Sequence, residues 1–471
     1  MIRKEKLEEI GDMKLDDYSL KVIIPIAHKF YKNSDSAFDT IKDLDWSILN
    51  KNNQALHTFG AYNIKKYICE NVIPQFDDTK ANCFLDNLNS LILRKELNKN
   101  IILQNKNLEY IIKIENIDLW IFEEHIGFFV LNIKQTKNYT VDDFSNIHNI
   151  IRNFKFLEVK ENNNNIYFIN KGYQETTDII TYLLNFTNKK NNSFLNITID
   201  ELMINNNLQT IYNSSTNAKL LIGMQFQKDK FSNGSNIEED DEIIDFYTIN
   251  ETSILEEVSF YISSCLRLNI DNKSFIPDIT YISSILEENS LSIWKYSKGL
   301  ALHDSCAFIG IRDDGGPIVE NTDEIFYFIY ILNLYISFQI KFIEKSIINK
   351  DFEARDINYY YRKLQNLKNQ FISNEIAIKF QENEVHHIIS KSLKISTLLS
   401  EVTENLLETK EITQNNLGIY ITLISFMFVS ILQKPLENFF IQNFNILLPI
   451  IVFLISIVYY YRNKIRNYFK I

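Results

Sequence analysis

The chain has 471 residues, enough for two or three domains, and 45% of them are hydrophobic, so most of its length can bury a core. Its 49 Lys and Arg stand against 60 Asp and Glu, a net charge of −11 that argues against nucleic acid as a direct partner. Only 11 Gly and 6 Pro occur, which argues against low-complexity linkers and for long regular elements. The four cysteines, Cys69, Cys83, Cys265 and Cys306, show no CxxC spacing. Neither a zinc site nor a disulfide framework is suggested, as expected in a reducing cytosol. The first residues, Met1-Ile2-Arg3-Lys4-Glu5-Lys6, lack the apolar stretch of a signal peptide.

The first hundred residues mix helical and irregular signals, and Val22–Ile26 reads as a strand or a helix start. From about Asn100 the pattern turns to strands at Ile101–Leu103, Leu108–Ile114, Asp118–Phe122 and Gly127–Ile133, each rich in β-branched and aromatic residues. Glu123-Glu124-His125 reads as the turn between the last two. Thr140 with Asp143 three residues on has the form of a capping box and predicts a helix to about Phe154. Ile166–Ile169 and Leu220–Phe226 read as strands, Glu175–Phe186 and Ile254–Leu268 as helices. This order predicts an α+β or α/β layer with a mixed sheet. The acidic run Glu238–Glu242 is most simply a solvated loop, with a cation site as the sharper alternative.

Ser305–Arg312 is a strong strand candidate, followed by the turn signal Asp313-Asp314-Gly315-Gly316. Trp294, Lys295, Lys298 and Arg312 flank it. They read as a sheet edge or as a small-ligand pocket, with Trp294 stacking on a base and a cation meeting a phosphate. No phosphate-loop motif accompanies them, and no Walker A, GxGxxG, HExxH or GxSxG pattern occurs, which argues against an enzyme.

After Glu320 the chain reads as all-helical. Asn321 and Glu324 form a capping signal before the uncharged run Ile325–Ile340. That run is a membrane span or a buried helix; its length and its internal Asn333 and Gln339 favour the buried helix. Asp351 is placed to cap a polar helix to about Ser373. A further helix from about Asn374 meets no breaker before Gly418, which predicts a rod roughly 60 Å long. His386-His387 on this rod reads as an exposed surface pair.

Two uncharged apolar runs follow, Leu417–Leu432 and Phe444–Tyr461. A bilayer core needs about 20 apolar helical residues, and lipid cannot satisfy a bare backbone, so the runs predict a membrane hairpin. Arg462, Lys464, Arg466 and Lys470 place the tail in the cytoplasm, and two crossings then place everything before Leu417 there too.

On the rod, Ile395, Leu399, Val402 and Leu406 repeat at helical spacing as a packing stripe. Another face carries Glu401, Glu404, Glu408 and Glu411, and the same rhythm continues through Asn415, Gly418, Thr422, Ser425 and Val429. An acidic face leading into small and hydroxyl residues suits a pore-lining helix in a symmetric oligomer. It equally suits a solvated stalk joined to an ordinary helix contact.

This architecture, over about Asn374–Ile471, resembles the CorA superfamily of divalent-cation channels. The resemblance implies an α+β cytoplasmic sensor domain over residues 1–320, a helical region with a long stalk helix over 321–416, and a two-span transmembrane domain over 417–471. It also implies a homopentamer with the first span lining the pore. The family's Gly-Met-Asn signature is absent; the position reads Ile431-Leu432-Gln433-Lys434-Pro435. That departure bears against housekeeping Mg²⁺ uptake. The chain looks like the CorA-like membrane effectors that accompany type III CRISPR systems. For those, the resemblance implies an inner-membrane protein, both termini cytoplasmic, gated by a nucleotide second messenger such as SAM-AMP in antiviral defence. A Mg²⁺ or other divalent-cation transporter, or a membrane-anchored scaffold without a pore, are the alternatives.

Overall fold

The computed structural model describes residues 2–30, 41–49, 90–196, 218–226, 248–269, 277–311, 317–348, 354–411 and 421–426, apart from gaps of one to three residues within these ranges, and residue 64. The chain divides into two compact units: residues 1–345 with 367–398, and residues 346–366 with 399–471.

The first unit is built on a mixed sheet of eleven strands. In chain order its principal strands are β1 (Asp17–Ala27), β2 (Ser90–Asn105), β3 (Leu108–Phe122), β4 (Ile126–Gln135), β5 (Leu157–Asn162), β6 (Asn165–Asn170), β7 (Lys219–Phe226), β8 (Ser290–Trp294), β9 (Ser297–Ala301) and β10 (Ser305–Ile311). Their spatial order is β8-β9-β10-β7-β1-β4-β3-β2-β6-β5, with the short Ser47–Ile48 strand pairing off this path to β2. Most neighbours are antiparallel, while β7 with β10 and β2 with β6 run parallel. The ambiguous Val22–Ile26 run is thus a central strand, with Ile23 opposite Val130 on one side and Lys219 on the other. The predicted strands Leu108–Ile114 and Asp118–Phe122 are one strand: a register irregularity between Ile114 and Asn116 carries β3 through the polar break.

Every residue of β7 and β10 is buried, as expected of strands covered on both faces. One face is apolar. Leu20, Val22, Ile24 and Ile26 of β1 share a core with Val141, Phe144, Ile147 and Ile151 of α2 (Val141–Arg152) and with Leu255, Val258 and Ile262 of α4 (Ile254–Ser263). α2 starts as its capping box predicts: Thr140 and Asp143 exchange side-chain to backbone hydrogen bonds of 3.1 and 3.2 Å.

The opposite face carries α6 (Ile318–Asp323) and α7 (Ile325–Ile348). Phe326 packs on Phe308, Tyr327 on Trp120, Tyr335 on Phe122 and Phe338 on Phe128. The stretch Ile318–Ile347 has the length and hydropathy of a membrane span, and 83% of its apolar window is buried inside the protein. Its place against the sheet agrees with the buried-helix reading of Ile325–Ile340. The helix begins earlier than the Asn321–Glu324 signal implies. Asn321 lies inside α6, which starts after Pro317, and the chain kinks at Glu324 (φ −109°, ψ −95°). α6 lies close because Gly223 and Gly310 lack side chains: a Cβ at Gly310 would meet Ile318 Cγ1 at 2.7 Å, and one at Gly223 would meet Thr322 Cβ at 3.0 Å.

The predicted rod from Asn374 is not continuous. α8 (Ala354–Leu367) is followed by a π-helical turn, and α9 (Phe380–Ser392) starts only at Phe380. Asn383 holds the preceding loop by bonding Ala377 N at 2.9 Å and Ala377 O at 3.0 Å. α9 then ends at Leu393–Lys394, where Lys394 takes φ +54°, and a new helix, α10, runs over residues 395–411. Neither glycine nor proline marks this break. Leu393 and Ile395 flank it and are both buried.

In the second unit Ile357, Leu364, Leu399, Val402 and Leu406 are buried, and Lys410 Nζ lies 6.0 Å from the Tyr361 ring centroid. The residues of the predicted packing stripe, Ile395, Leu399, Val402 and Leu406, are all buried. The second apolar run, Phe444–Tyr461, lies outside the described residues, as do most of the first run, Asp351, Glu238–Glu242, Glu123-Glu124-His125 and Asp313–Gly316.

Candidate functional site

Of the residues read as a ligand pocket, Trp294 ends β8 and Lys298 lies in β9, opposite Ile309. Lys298 Nζ is ion-paired with Glu256 of α4 at 3.1 Å, and its side chain is mostly buried. Its charge is therefore already matched within the sheet unit. Lys295, Arg312 and the Trp294 side chain lie outside the described residues.

Glu401, Glu404, Glu408 and Glu411 are all exposed along α10, on the side away from its buried stripe. Residues 421–426 are helical and exposed throughout, including Ile421, Leu423, Ile424 and Phe426 at 71%. Thr422 and Ser425 fall within this turn, and Ser425 Oγ donates to Ile421 O at 2.7 Å, which satisfies the hydroxyl without an outside partner. Asn415, Gly418 and Val429 lie outside the described residues.

Two clusters of charge in the sheet unit escaped the sequence. The first is a seam beneath α6 and α7. Asp118 of β3 is fully buried and accepts from Arg94 Nε at 2.6 Å and from the same guanidinium's Nη2 at 2.9 Å. It also accepts from Asn132 at 3.0 Å and from Tyr327 OH at 3.1 Å, and Trp120 Nε1 donates to Tyr327 OH at 2.8 Å. Beside it Asp323, at the end of α6, is bound by Lys21 at 2.8 Å, by Lys134 and by Ser19. Burial alone raises the Asp323 carboxyl, but the charges of Lys21 and Lys134 outweigh it and hold it below the usual carboxylate range. Each carboxylate has several donors, so the seam is closed chemically: it holds the α6–α7 kink on the sheet.

The second cluster gathers where the parallel strands β7 and β10 begin. Lys219, the first residue of β7, is bound to Asp304, to His303 O at 3.2 Å, and lies 3.3 Å from His303 Nδ1. His303 Nδ1 is 2.8 Å from Asp304 Oδ1, and Arg152, the last residue of α2, reaches Asp304 Oδ2 at 3.3 Å. Burial again raises the Asp304 carboxyl, while the hydrogen bond from His303 and the charge of Lys219 prevail and hold it far below the ordinary value. Lys341 of α7 lies within electrostatic range of Lys219 and Asp304, and burial lowers its pKa first of all. Cys265, just after α4, has its thiol pushed up to about 11 by burial, so it is not a nucleophile at neutral pH.

Two further buried polar links matter. Tyr18 OH and His148 Nε2 share a 2.8 Å hydrogen bond in the apolar face, where burial pushes His148 down to about 3 and His148 Nδ1 has no hydrogen-bond partner among the described residues. His386 is not the exposed residue its sequence context suggests. It is buried between α7 and the turn before α9, with Nε2 3.0 Å from Phe371 O and Nδ1 2.9 Å from Asn333 Nδ2. The carbonyl requires a proton on Nε2, so Nδ1 accepts from Asn333. His387 alone is exposed. Among the described residues no three of His, Cys, Asp and Glu converge on a metal-sized site.

The seam had no local signal, since Arg94, Asp118 and Tyr327 are far apart in sequence. The second cluster left one trace: Lys219 and Asp304 sit directly before or at the start of otherwise apolar strands. Comparison with family models, with characterised proteins and with solved structures finds no match.

Proposed function

We propose that this chain is a CorA-like, homo-oligomeric membrane channel or effector whose α/β unit senses a small ligand. The observation that carries the reading is the chemistry of α10 and the turn beyond it. The helix buries one apolar stripe, exposes Glu401, Glu404, Glu408 and Glu411, and is followed at 421–426 by exposed Ile421, Leu423, Ile424 and Phe426. A soluble surface rarely leaves such a run open to water, whereas a bilayer accepts it. An acidic helix face at the mouth of a pore concentrates cations.

In this reading the chain sits in an inner membrane as a pentamer with both termini in the cytoplasm. Asn415, Gly418, Thr422, Ser425 and Val429 face the pore. The gating ligand is a nucleotide second messenger of the SAM-AMP type, and opening depolarises the membrane in type III CRISPR defence. Ion flux from proteoliposomes, with and without the nucleotide, tests it. Flux that depends on ligand supports the effector, and ligand-independent Mg²⁺ flux supports a transporter. No flux from a well-assembled oligomer sinks both and leaves a scaffold. Within the channel reading, Thr422→Trp assembles normally and conducts nothing, while Phe426→Leu conducts as the parent does. The opposite pattern breaks the face assignment.

A further inference from the structure

We infer that the cluster around Asp304 is a binding site for a small, multiply charged anion of the phosphate class. It belongs wholly to the sheet unit and stands independently of the channel reading, because it concerns binding and no transport.

Charge balance is the first argument. Arg152 and Lys219 both bind Asp304, and Lys341 lies within electrostatic range of Lys219, Asp304 and Glu344, in a chain whose net charge is −11. The seam around Asp118 and Asp323 is different, because there every cation is held by short contacts. The second argument is unused donor capacity. Arg152 makes long contacts, 3.3 Å to Asp304 and 3.5 Å to Ser264 O, and also meets the Cys265 side chain, while its buried Nε has no hydrogen-bond partner among the described residues. A guanidinium has five N–H donors in a fixed fork that matches phosphate oxygens. Lys341 makes no ion pair among the described residues, lies within electrostatic range of Glu344, and has its ammonium 5.7 Å from the Phe338 ring centroid. His303 spends Nδ1 on Asp304, is more than half exposed, and has Nε2 unengaged among the described residues.

The third argument is division of labour. Lys219 is nearly inaccessible and fully committed to Asp304 and His303, so it positions that pair and adds field. Arg152, Lys341 and His303 come from three different elements and remain available to a ligand. Arg152 and Lys341 supply charge in the partly buried setting where it acts strongly. A monocarboxylate would satisfy only part of this set, whereas a phosphate or pyrophosphate brings enough oxygens and charge for all of it.

The full-length protein is titrated with inorganic phosphate, pyrophosphate and malonate at matched ionic strength, with binding heat and Tm both read. Pyrophosphate is expected to bind and raise Tm, more strongly than phosphate, and malonate hardly at all. Arg152→Gln should weaken pyrophosphate binding at least tenfold and Lys341→Gln severalfold. Lys160→Gln, an exposed cation on β5, should leave it unchanged. Asp304→Asn should tighten binding, because it removes the competing carboxylate and frees Arg152. If Arg152→Gln fails to fold, Lys341→Gln decides, since Lys341 makes no ion pair among the described residues. No heat and no Tm shift in the parent at millimolar pyrophosphate overturns the site, as does parental affinity in folded Lys341→Gln. Ligand binding without any membrane flux would leave this site standing and remove only the channel.

Discussion

Carboxylates do opposite work in two regions of this molecule. Asp118 is fully buried, receives four hydrogen bonds and locks three strands to a helix. Glu401, Glu404, Glu408 and Glu411 are exposed on α10 and act, if at all, on the solution beside them. The difference teaches that burial decides what a charge is for. A buried charge must be matched on the spot, so it becomes structure, whereas an exposed one is free to attract ions.

The comparison breaks most readily at Asp118. Asp118→Ala should cost about 3–5 kcal/mol, because it leaves Arg94 and the Tyr327 hydroxyl facing an uncompensated hole. Chemical denaturation measures the loss, and a change under 1 kcal/mol would show that water already serves the seam. Gly310→Ala comes next. Pushing a methyl into Ile318 should cost about 1–3 kcal/mol by forcing α6 off β10, read as a fall in Tm. An unchanged Tm would mean that α6 shifts without penalty.

Acid sharpens the same contrast. His148 and His386 are held neutral by burial, with pKa values lowered to about 3 and about 4. An unfolded chain protonates both near 6.5, so below that pH the unfolded state binds protons that the folded state refuses. Stability therefore falls as pH drops from 6.5 toward 4, by up to about 1.4 kcal/mol per pH unit for each histidine. His386→Gln, which keeps a donor for Phe371 O, should flatten that slope at some cost in stability near neutral pH. A slope unchanged from the parent would show that His386 does not refuse the proton.

The smallest effect belongs to the exposed face. Glu408→Gln with Glu411→Gln should leave folding within about 0.5 kcal/mol. If the proposed channel reading holds, it should lower cation flux in proteoliposomes at low salt and hardly at all at high salt, because exposed charges are screened over about 10 Å at 0.1 M. Equal loss at both salts would point to a structural role for these residues.

Much of the sheet unit could be read from neighbours in sequence. Thr140 and Asp143 announced α2, the apolar runs announced β7 and β10, and the spacing of Ile395, Leu399, Val402 and Leu406 announced a buried stripe. These are short-range signals, set by one turn of helix or one pleat of strand, so the chain carries them openly. Partners were hidden. Nothing near Asp118 names Arg94 or Tyr327, and nothing near Lys219 names Asp304 or Arg152, because long-range topology brings them together. Lys298 looked free until Glu256 of α4 claimed it. His386 looked exposed because its neighbour His387 is.

The sequence by itself determined the strand character of β3, β4, β6, β7 and β10, where α2 begins, and which face of α10 is apolar, since periodicity and caps depend on residues a few positions apart. It also showed that Ile325–Ile340 must leave water, without showing for which medium. Only the tertiary structure decided that this helix covers a sheet, because an uncharged helix is equally satisfied by lipid or by Trp120, Phe122 and Phe128. It decided as well that the helix after Phe380 breaks at Lys394, between the buried Leu393 and Ile395, where no glycine or proline signals a stop.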